Sequence, residues 1–315
     1  MGSETFGQST TSNRLDPWFD DGNIVLTTEG KYFRVYRGIL SSQSPVFKDM
    51  FSCPQPEDPS APEMDGCPII QLHDAANDLQ IVLKALHDRA YPTAIATNSV
   101  SLPVAAAFLR LGKKYEIRRL FDEGRACLEG WRAGWTTLPE LPTDDSLYLS
   151  RVTKRDKYDF HLTNLAREVG LLSMLPFALY TIALSCPPEI ILDGYDCDGA
   201  HCTLSPINQR ACLIGRDKLV ELQSSSFHLL ADFKCADRLK CMEGRERILR
   251  DVWHPNFQRN PFATWDSKWD LSFCSPCLAH RKNLCERCRK RAWDALPSVF
   301  GLGSWEEIER NSFTF

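Results

Sequence analysis

Residues 20–51, DDGNIVLTTEGKYFRVYRGILSSQSPVFKDMF, carry within one short stretch the signals for two strands and two helices. The apolar run at 24–26 and the alternating residues around Phe33 flank a Thr-Glu-Gly-Lys turn, a pattern that predicts a β-hairpin. Ser44 can serve as a helix N-cap, and Pro45 suits the first helical position because its missing N–H costs nothing there. The apolar residues that follow share one helical face: Val46, Phe47, Met50 and Phe51. The stretch therefore predicts a hairpin followed by a buried helix.

The order of these signals resembles the opening of the BTB/POZ domain. In that family an Asp-Val-x-Leu-like strand precedes the motifs Phe-x-x-His-Arg/Lys-x-x-Leu and Ser-x-x-Phe-x-x-Met-Phe. The matching positions here are Ile24, Val25, Leu26, Phe33, Arg37, Leu40, Ser44, Phe47, Met50 and Phe51. The resemblance implies an α+β domain in which a small sheet with helices encloses one core, formed by Leu26, Phe33, Leu40, Phe47, Phe51, Leu83, Leu109 and Phe121.

Two positions depart from the family pattern. Asn23 stands where the family usually has Asp, and Tyr36 stands where it usually has His. In the family these positions help to build a polar pocket near the dimer interface, so the resemblance implies a homodimer whose usual pocket is weakened here. Proteins of this family are adaptors and not catalysts, which implies a protein-interaction function.

The flanking sequence resembles BTB proteins that are abundant in mushroom-forming fungi (basidiomycetes). The resemblance rests on the amino-acid sequence at residues 18–23 and 51–56. It also rests on a similar C-terminal motif, Trp-x-x-Leu-Pro-x-x-Phe-Gly-Leu, here Trp293–Leu302. Those proteins also share a cysteine pair, a tryptophan-rich middle and a Cys-x-x-Cys. The resemblance thus covers most of the chain.

Composition is that of an ordinary intracellular protein with two domains. The 315 residues are 43% hydrophobic and carry a formal net charge of −4, which indicates no general affinity for nucleic acid or anionic membranes. The N-terminal residues have no signal-peptide pattern, and the longest apolar stretch, 171–184, is interrupted by Pro176 and too short to cross a bilayer. In an intracellular protein the 13 cysteines are expected to be reduced thiols, buried or bound to metal.

The sequence divides into a tail and two domains. Residues 1–16 are polar and aperiodic, which predicts a disordered tail. Residues 17–131 are predicted to form the BTB/POZ-like domain, and residues 132–315 a mainly α-helical domain that carries a cysteine cluster. Helical spacing in this second domain predicts helices within the segments 159–170, 173–184, 206–233, 243–253 and 278–296.

The second domain contains a pattern that indicates a structural metal site. Cys235-x5-Cys241 and Cys274-Ser-Pro-Cys277 form two close pairs, and tetrahedral Zn²⁺ in proteins is commonly held by four thiolates. We therefore predict that one Zn²⁺ binds these four cysteines. No open position would remain for a catalytic water, so the ion is expected to stabilise the fold.

Other interpretations of the cysteines stay open at this point. Cys274 and Cys277 with Cys285 and Cys288 make a shorter zinc pattern, although a continuous helix would place Cys277 and Cys288 about 16 Å apart. The cysteines can also be simple buried apolar residues. A further group, Cys197-x3-His201-Cys202, has metal-binding residue types but no fourth partner and is expected to be a loop.

A basic run at the C-terminal end comprises Arg281, Lys282, Arg287, Arg289, Lys290 and Arg291. We interpret it as the solvated face of an amphipathic helix whose apolar face carries Leu284, Ala292, Trp293 and Leu296. Contact with DNA beside a zinc site is the alternative. Walker A, G-x-S-x-G, H-E-x-x-H and Rossmann glycine motifs are absent from the sequence, so no enzymatic activity and no catalytic residue are predicted.

These observations predict a non-enzymatic adaptor or scaffold that binds other proteins. Self-association through the BTB-like domain and a substrate-adaptor role for a cullin-type ubiquitin ligase follow from the resemblance. The alternative function is a nuclear transcriptional regulator that contacts DNA through the Cys-rich basic segment. No membrane partner and no organic cofactor are predicted.

Overall fold

The computed structural model describes residues 13–53, 62–88, 101–131, 156–197, 199–224, 235–253 and 260–312. The chain divides into two compact units at the bond between Ala133 and Gly134. The first unit combines a mixed sheet with helices, whereas the second is mostly helical and carries the cysteine cluster.

A five-stranded sheet forms the centre of the first unit. Its strands are β1 (Arg14–Trp18), β2 (Ile24–Thr28), β3 (Lys31–Val35), β4 (Glu63–Met64) and β5 (Cys67–Gln71), in the spatial order β1-β3-β2-β5-β4. The predicted hairpin is confirmed: β2 pairs antiparallel with β3 from Ile24–Val35 to Thr28–Lys31. Glu29 and Gly30 both have positive φ, as the tight two-residue turn of a hairpin requires.

Five helices complete the first unit, and α3 among them packs against strands β1 and β3. They are α1 (Arg37–Gln43), α2 (Pro45–Ser52), α3 (Ala76–His87), α4 (Leu102–Lys114) and α5 (Arg118–Trp131). The predicted N-cap of α2 is confirmed, since Ser44 Oγ accepts a hydrogen bond from the amide of Phe47 at 3.0 Å. The same hydroxyl donates to the carbonyl of Tyr115 at 2.5 Å and so joins α2 to the end of α4.

The eight residues predicted for the core are all buried, with exposures between 0 and 7%. Six of them, Leu26, Phe33, Leu40, Phe47, Phe51 and Leu83, belong to one continuous cluster. Phe47 is fully buried at its centre, and its ring stacks on that of Tyr115 with 4.3 Å between ring centroids. Helices α4 and α5 also pack closely. A Cβ atom at Gly112 would lie only 2.8 Å from the amide nitrogen of Phe121.

The predicted disordered tail is too long at its C-terminal end. Residues 14–18 form β1, which runs parallel to β3, and Arg14 pairs with Asp65 at 3.0 Å. The strand sequence, Arg-Leu-Asp-Pro-Trp, does not alternate regularly between apolar and polar residues. Most of its side chains are half-buried at the edge of the sheet, so regular alternation is not required. Residues 1–12 lie outside the described part of the chain.

The second unit consists of seven described α-helices, two 3₁₀ turns and one small hairpin within residues 156–312. The helices are α6 (Asp156–Val169), α7 (Leu175–Ser185), α8 (Pro188–Asp193), α9 (Pro206–Ser224), α10 (Arg238–Trp253), α11 (Ser275–Val299) and α12 (Trp305–Asn311). The 3₁₀ turns are Leu172–Met174 and Ser267–Ser272, and the hairpin joins β6 (Tyr195–Cys197) to β7 (Ala200–Cys202). The predicted helices are confirmed, except that residues 225–233 of the segment 206–233 lie outside the described residues.

Two helices of this unit are tightly enclosed by their neighbours. Helix α11 is continuous over 25 residues, and Phe300 directly after it packs so closely on α9 that a Cβ atom at Gly215 would lie 2.5 Å from Phe300 Cδ1. Helix α7 is buried on all sides from Leu175 to Ala183. None of the described helices combines the length and the apolar character that crossing a membrane requires.

Truncation of Phe47 tests the packing of the first unit. We expect Phe47→Ala to lower the free energy of unfolding of this unit by about 3–5 kcal/mol, because the change leaves a large cavity beside Tyr115. The measurement is urea denaturation followed by circular dichroism. Lys48→Ala, at the exposed neighbouring position, is the control and should change stability by less than about 0.5 kcal/mol. A loss below about 1 kcal/mol for Phe47→Ala would contradict the central position of this ring.

Candidate metal centre

The structure brings the four predicted metal ligands together. The Sγ atoms of Cys235, Cys241, Cys274 and Cys277 all lie within 4.8 Å of one another, and those of Cys235 and Cys274 are 4.0 Å apart. Zn–S bonds near 2.3 Å in a tetrahedron would place the sulfur atoms roughly 3.8 Å apart. The thiols therefore need only small movements to surround one metal ion, and the donor set fits a tetrahedral thiolate site.

Both cysteine pairs are positioned by the beginning of a helix. Cys241 lies in the first turn of α10, where Asp237 Oδ1 accepts a hydrogen bond from the amide of Lys240 at 3.1 Å. Cys274 is the N-cap residue of α11, and Cys277 lies in its first turn. The partial positive charge at a helix N-terminus favours negative groups, so this placement favours thiolates over thiols.

Hydrogen bonds from the backbone act on the sulfur atoms in the same direction. The amide of Cys274 donates to Cys241 Sγ at 3.3 Å. Backbone N–H groups of Cys277 and Ala236 that point at Cys274 Sγ lower the pKa of Cys274 to about 6. Burial has the opposite effect on the inner pair: it raises the pKa of Cys241, and it raises the pKa of Cys277 to about 12. A bound metal ion would compensate for that burial because it stabilises the thiolate form.

Aromatic residues enclose the cluster. Cys241 and Cys277 pack in one buried group with Ile248, Trp269 and Phe273. The indole N–H of Trp269 donates to Asp251 at 2.7 Å, which satisfies the polar atom of that ring. The inner cysteines, Cys241 and Cys277, are thus packed among aromatic side chains, whereas Cys235 and Cys274 are half-buried.

A glycine allows the two halves of the site to approach. Gly244 lies on α10, one turn after Cys241, and faces the carbonyl oxygen of Ser272 and the ring of Phe273. A Cβ atom at this position would lie 2.7 Å from Phe273 Cζ and closer still to the Ser272 carbonyl oxygen. The segment that carries Cys274 can therefore contact α10 only if residue 244 has no side chain.

The interpretation of the basic run as a solvated face is wrong for two of its six residues. Arg281 and Arg289 are 2% and 8% exposed, because the buried stripe of α11 runs through positions 277, 281, 285, 289, 292 and 296. Arg289 donates to the carbonyl of Phe262 at 2.9 Å and to Glu286 at 2.8 Å. Lys282, Arg287, Lys290 and Arg291 are exposed, as predicted.

The shorter cysteine pattern is not compatible with the structure. Helix α11 is continuous from Ser275 to Val299, so its rise places Cys277 and Cys288 about 16 Å apart. Cys285 is buried and its thiol faces the carbonyl oxygen of Ala263 at 3.8 Å. Burial raises the pKa of Cys285 to about 11.

The group around Cys202 is not a metal site among the described residues. The ring of His201 contacts Asp196 Oδ1 at 2.7 Å and the carbonyl of Asp193 at 2.8 Å, and these hydrogen bonds raise its pKa. Cys202 instead faces Nε2 of His161 at 3.1 Å. The sequence did not suggest His161, since it lies on α6 and 41 positions before Cys202. The side chain of Cys197 lies outside the described part of the chain.

Asn23 and Tyr36, the two positions that depart from the family pattern, both form hydrogen bonds. Asn23 Oδ1 accepts from the amide of Arg37 at 2.8 Å and thus caps α1. The hydroxyl of Tyr36 donates to Asp21, and this hydrogen bond raises the pKa of Tyr36. The rings of Tyr36, Phe19 and His87 pack together as a group of three. Asn23 and Tyr36 therefore each form a side-chain hydrogen bond, although neither is the residue that the resemblance predicts at its position.

Comparison with known protein families agrees with this architecture. Residues 19–129 match the family model of the BTB/POZ domain. No curated protein matches the sequence. The first unit is therefore a BTB/POZ domain, and a domain of this kind is a protein-interaction module.

Substitution of Gly244 tests the packing of the cysteine cluster. We expect Gly244→Ala to destabilise the second unit by about 1–3 kcal/mol, because the added methyl group overlaps the Ser272 carbonyl oxygen and the Phe273 ring. Thermal unfolding followed by tryptophan fluorescence reports the change, since Trp265 and Trp269 lie beside the cluster. Met242→Ala, at a half-exposed position on the same helix, should leave the transition nearly unchanged. Equal stability of the two variants would contradict the close approach.

Proposed function

We propose that the protein is an adaptor or scaffold that binds other proteins. The observation that carries this proposal is the BTB/POZ domain at residues 19–129 joined to a second compact unit of different architecture. The proposed organisation is a tail at residues 1–16, of which 14–16 join the sheet, a BTB/POZ domain at 17–131 and a helical domain at 132–315. The sequence contains no motif of a common catalyst, and adaptor function needs none.

We further propose that the BTB/POZ domain forms a homodimer. Domains of this family commonly self-associate. The hydrogen bonds of Asn23 with Arg37 and of Tyr36 with Asp21 support an ordered pocket even though the usual residues are replaced. The resemblance to proteins of mushroom-forming fungi and a role as substrate adaptor for a cullin-type ligase belong to the same proposal, together with an intracellular location. Reduced cysteines agree with that location: every cysteine whose side chain the structure describes is a free thiol.

The DNA-binding alternative has less support from the geometry. Of the six cations in the basic run, Arg281 and Arg289 are buried, and Lys282 pairs with Asp270 at 2.8 Å. Only Arg287, Lys290 and Arg291 remain as exposed cations that could contact phosphate without breaking a described ion pair. Three cations give a weak electrostatic footprint compared with the six to ten phosphate contacts of specific DNA-binding proteins.

Co-purification of two tagged copies tests the adaptor proposal. Two copies of the full chain with different affinity tags are expressed together in the source cells, and one tag is captured. Recovery of the second tag is expected if the chain self-associates, and mass spectrometry should identify further proteins that are absent from a tag-only control. A cullin among them would support the ligase role. Absence of both the second copy and any specific partner would contradict the adaptor proposal.

We propose that Cys235, Cys241, Cys274 and Cys277 bind one structural Zn²⁺. The mutual distance of at most 4.8 Å, the two helix N-termini and the backbone hydrogen bonds to sulfur support this assignment. The ion would supply folding free energy, and these residues would hold it by joining the beginning of α10 to the beginning of α11.

Metal analysis of six single variants tests the zinc site. Wild-type protein should contain one zinc ion per chain. Replacement of Cys235, Cys241, Cys274 or Cys277 by Ser should remove it and loosen the second unit, because three thiolates hold the ion less firmly than four. Cys285→Ser and Cys288→Ser are matched controls on α11 and should retain full zinc content. Wild-type protein without stoichiometric zinc would exclude the site.

A further inference from the structure

The four thiols of the cysteine cluster differ in their access to solvent. Cys241 and Cys277 are 0% and 1% exposed and pack among aromatic side chains, whereas Cys235 and Cys274 are half-buried beside them. Oxidation of cysteines in proteins follows their exposure. A small oxidant in solution therefore reaches Cys235 and Cys274, the outer pair, before it reaches the inner pair.

The sulfur atoms of the outer pair already lie close together. Cys235 Sγ and Cys274 Sγ are 4.0 Å apart. A disulfide requires about 2.05 Å between its sulfur atoms, so the two thiols need to approach each other by about 2 Å. Cys235 can make this movement because it lies before α10 and belongs to no helix or strand.

Cys277 is the competing partner of Cys274. The two residues form a Cys-x-x-Cys motif, and their sulfur atoms lie within 4.8 Å of each other. Cys277 belongs to the first turn of α11, however, and its side chain packs in the buried group with Trp269 and Phe273. A bond to Cys274 would have to draw Cys277 out of this packing, whereas Cys235 is only partly buried against the group.

The outer pair connects two separate parts of the second unit. Cys235 precedes α10 and Cys274 begins α11, and 39 positions of sequence separate them. The buried positions of α10 among the described side chains are Cys241, Gly244 and Ile248, so the cluster supplies much of the attachment of this helix. A bond between the outer cysteines would hold the two helix beginnings through two sulfur atoms in place of four.

We propose that Cys235 and Cys274 form a reversible disulfide when a peroxide oxidises them, and that this bond releases the metal ion. The inference rests on the proposed zinc site for the release, and it deepens that site by naming its regulation. Only the two thiolates of the inner pair remain as ligands, and a structural zinc site needs four. Reduction of the disulfide restores all four ligands.

Hydrogen peroxide is the oxidant, and it is reduced to two waters. The sulfur of one outer cysteine attacks a peroxide oxygen, the O–O bond breaks, and a sulfenic acid forms while the other oxygen leaves as water. The second sulfur attacks the sulfenic sulfur, the S–O bond breaks, and the disulfide forms while that oxygen also leaves as water. The two sulfur atoms lose two electrons in total. The two protons come from the thiols, or from solvent where zinc holds thiolates.

Disulfide mapping of the full wild-type chain tests the pairing. The reduced protein is assayed for zinc and then treated with hydrogen peroxide in the presence of a chromogenic zinc chelator, beside an untreated sample with the same chelator. Thiols are blocked with N-ethylmaleimide as the chain is unfolded, and tryptic peptides are analysed by mass spectrometry. We expect peroxide to cross-link the peptides 235–238 and 269–281 and to release the zinc, which the untreated sample should retain.

Two further measurements define the bond. Fragmentation of the cross-linked peptides distinguishes Cys274 from Cys277, because both lie in the peptide 269–281. A phosphine reductant added after oxidation should remove the cross-link and allow zinc to bind again. Cys288→Ser is the matched control, since Cys288 is also half-buried on α11 but lies outside the cluster. This variant should form the cross-link and release zinc at the wild-type rate.

The outcomes separate the pairing from the zinc site. Wild-type protein without zinc before oxidation overturns the metal centre, and the cross-link then decides the pairing by itself. Zinc-containing protein in which Cys274 bonds to Cys277, or in which no disulfide forms, overturns the pairing and leaves the centre intact. A bond between Cys235 and Cys274 without loss of zinc overturns the regulation. These decisions use the wild-type chain, so none depends on whether a cysteine variant folds.

Discussion

The second unit depends on the convergence of two helix N-termini. Helices α10 and α11 begin close to the same point, and each brings two cysteines and the free amide groups of its first turn to that point. Without a negatively charged partner, two such helix ends would repel each other through their partial positive charges. Four thiolates around the proposed metal ion would provide that partner. The enclosing aromatic side chains and the absent side chain at Gly244 follow from the need to bring the two helix ends together.

In the first unit, Asn23 and Tyr36 keep side-chain hydrogen bonds although the family usually has Asp and His at these positions. The side-chain oxygen of Asn23 accepts a hydrogen bond from the first amide of α1, and the hydroxyl of Tyr36 donates to Asp21. Both replacements keep hydrogen bonds while they alter the charge and the titration of the group. A histidine still lies beside this group, because the ring of His87 packs against those of Phe19 and Tyr36.

Local signals in the sequence predicted most of the fold. The hairpin, the Ser44 cap and the helices of the second unit each depend on residues near one another in the sequence, and periodicity or capping chemistry reveals them. Elements fixed by distant partners were missed. Strand β1 exists because β3 offers it an edge, and the beginning of α3 is capped by Glu29 of the hairpin turn, whose carboxylate accepts from the amide of Ala76 at 2.9 Å.

The same distinction holds for the candidate site. The spacing of Cys235, Cys241, Cys274 and Cys277 indicated a four-thiolate group, and the structure places these thiols together. The burial of Arg281 could not be read from a run of basic residues, because composition alone gives a solvated face. One signal was present and not used: an arginine follows both Cys241 and Cys277 by four positions. That spacing puts cysteine and arginine on the same face of a helix.

Because α11 is long, a small change in its direction at the cysteine cluster produces a large displacement at its other end. The helix is 25 residues long, or about 37 Å, with the thiols at its first turn and Phe300 pressed against Gly215 just after its last. A tilt of about 3° at the first turn moves the far end by about 2 Å, which a contact as tight as the one at Gly215 cannot absorb. Whatever fixes the direction of this helix at one end therefore also determines whether α9 can keep its place at the other.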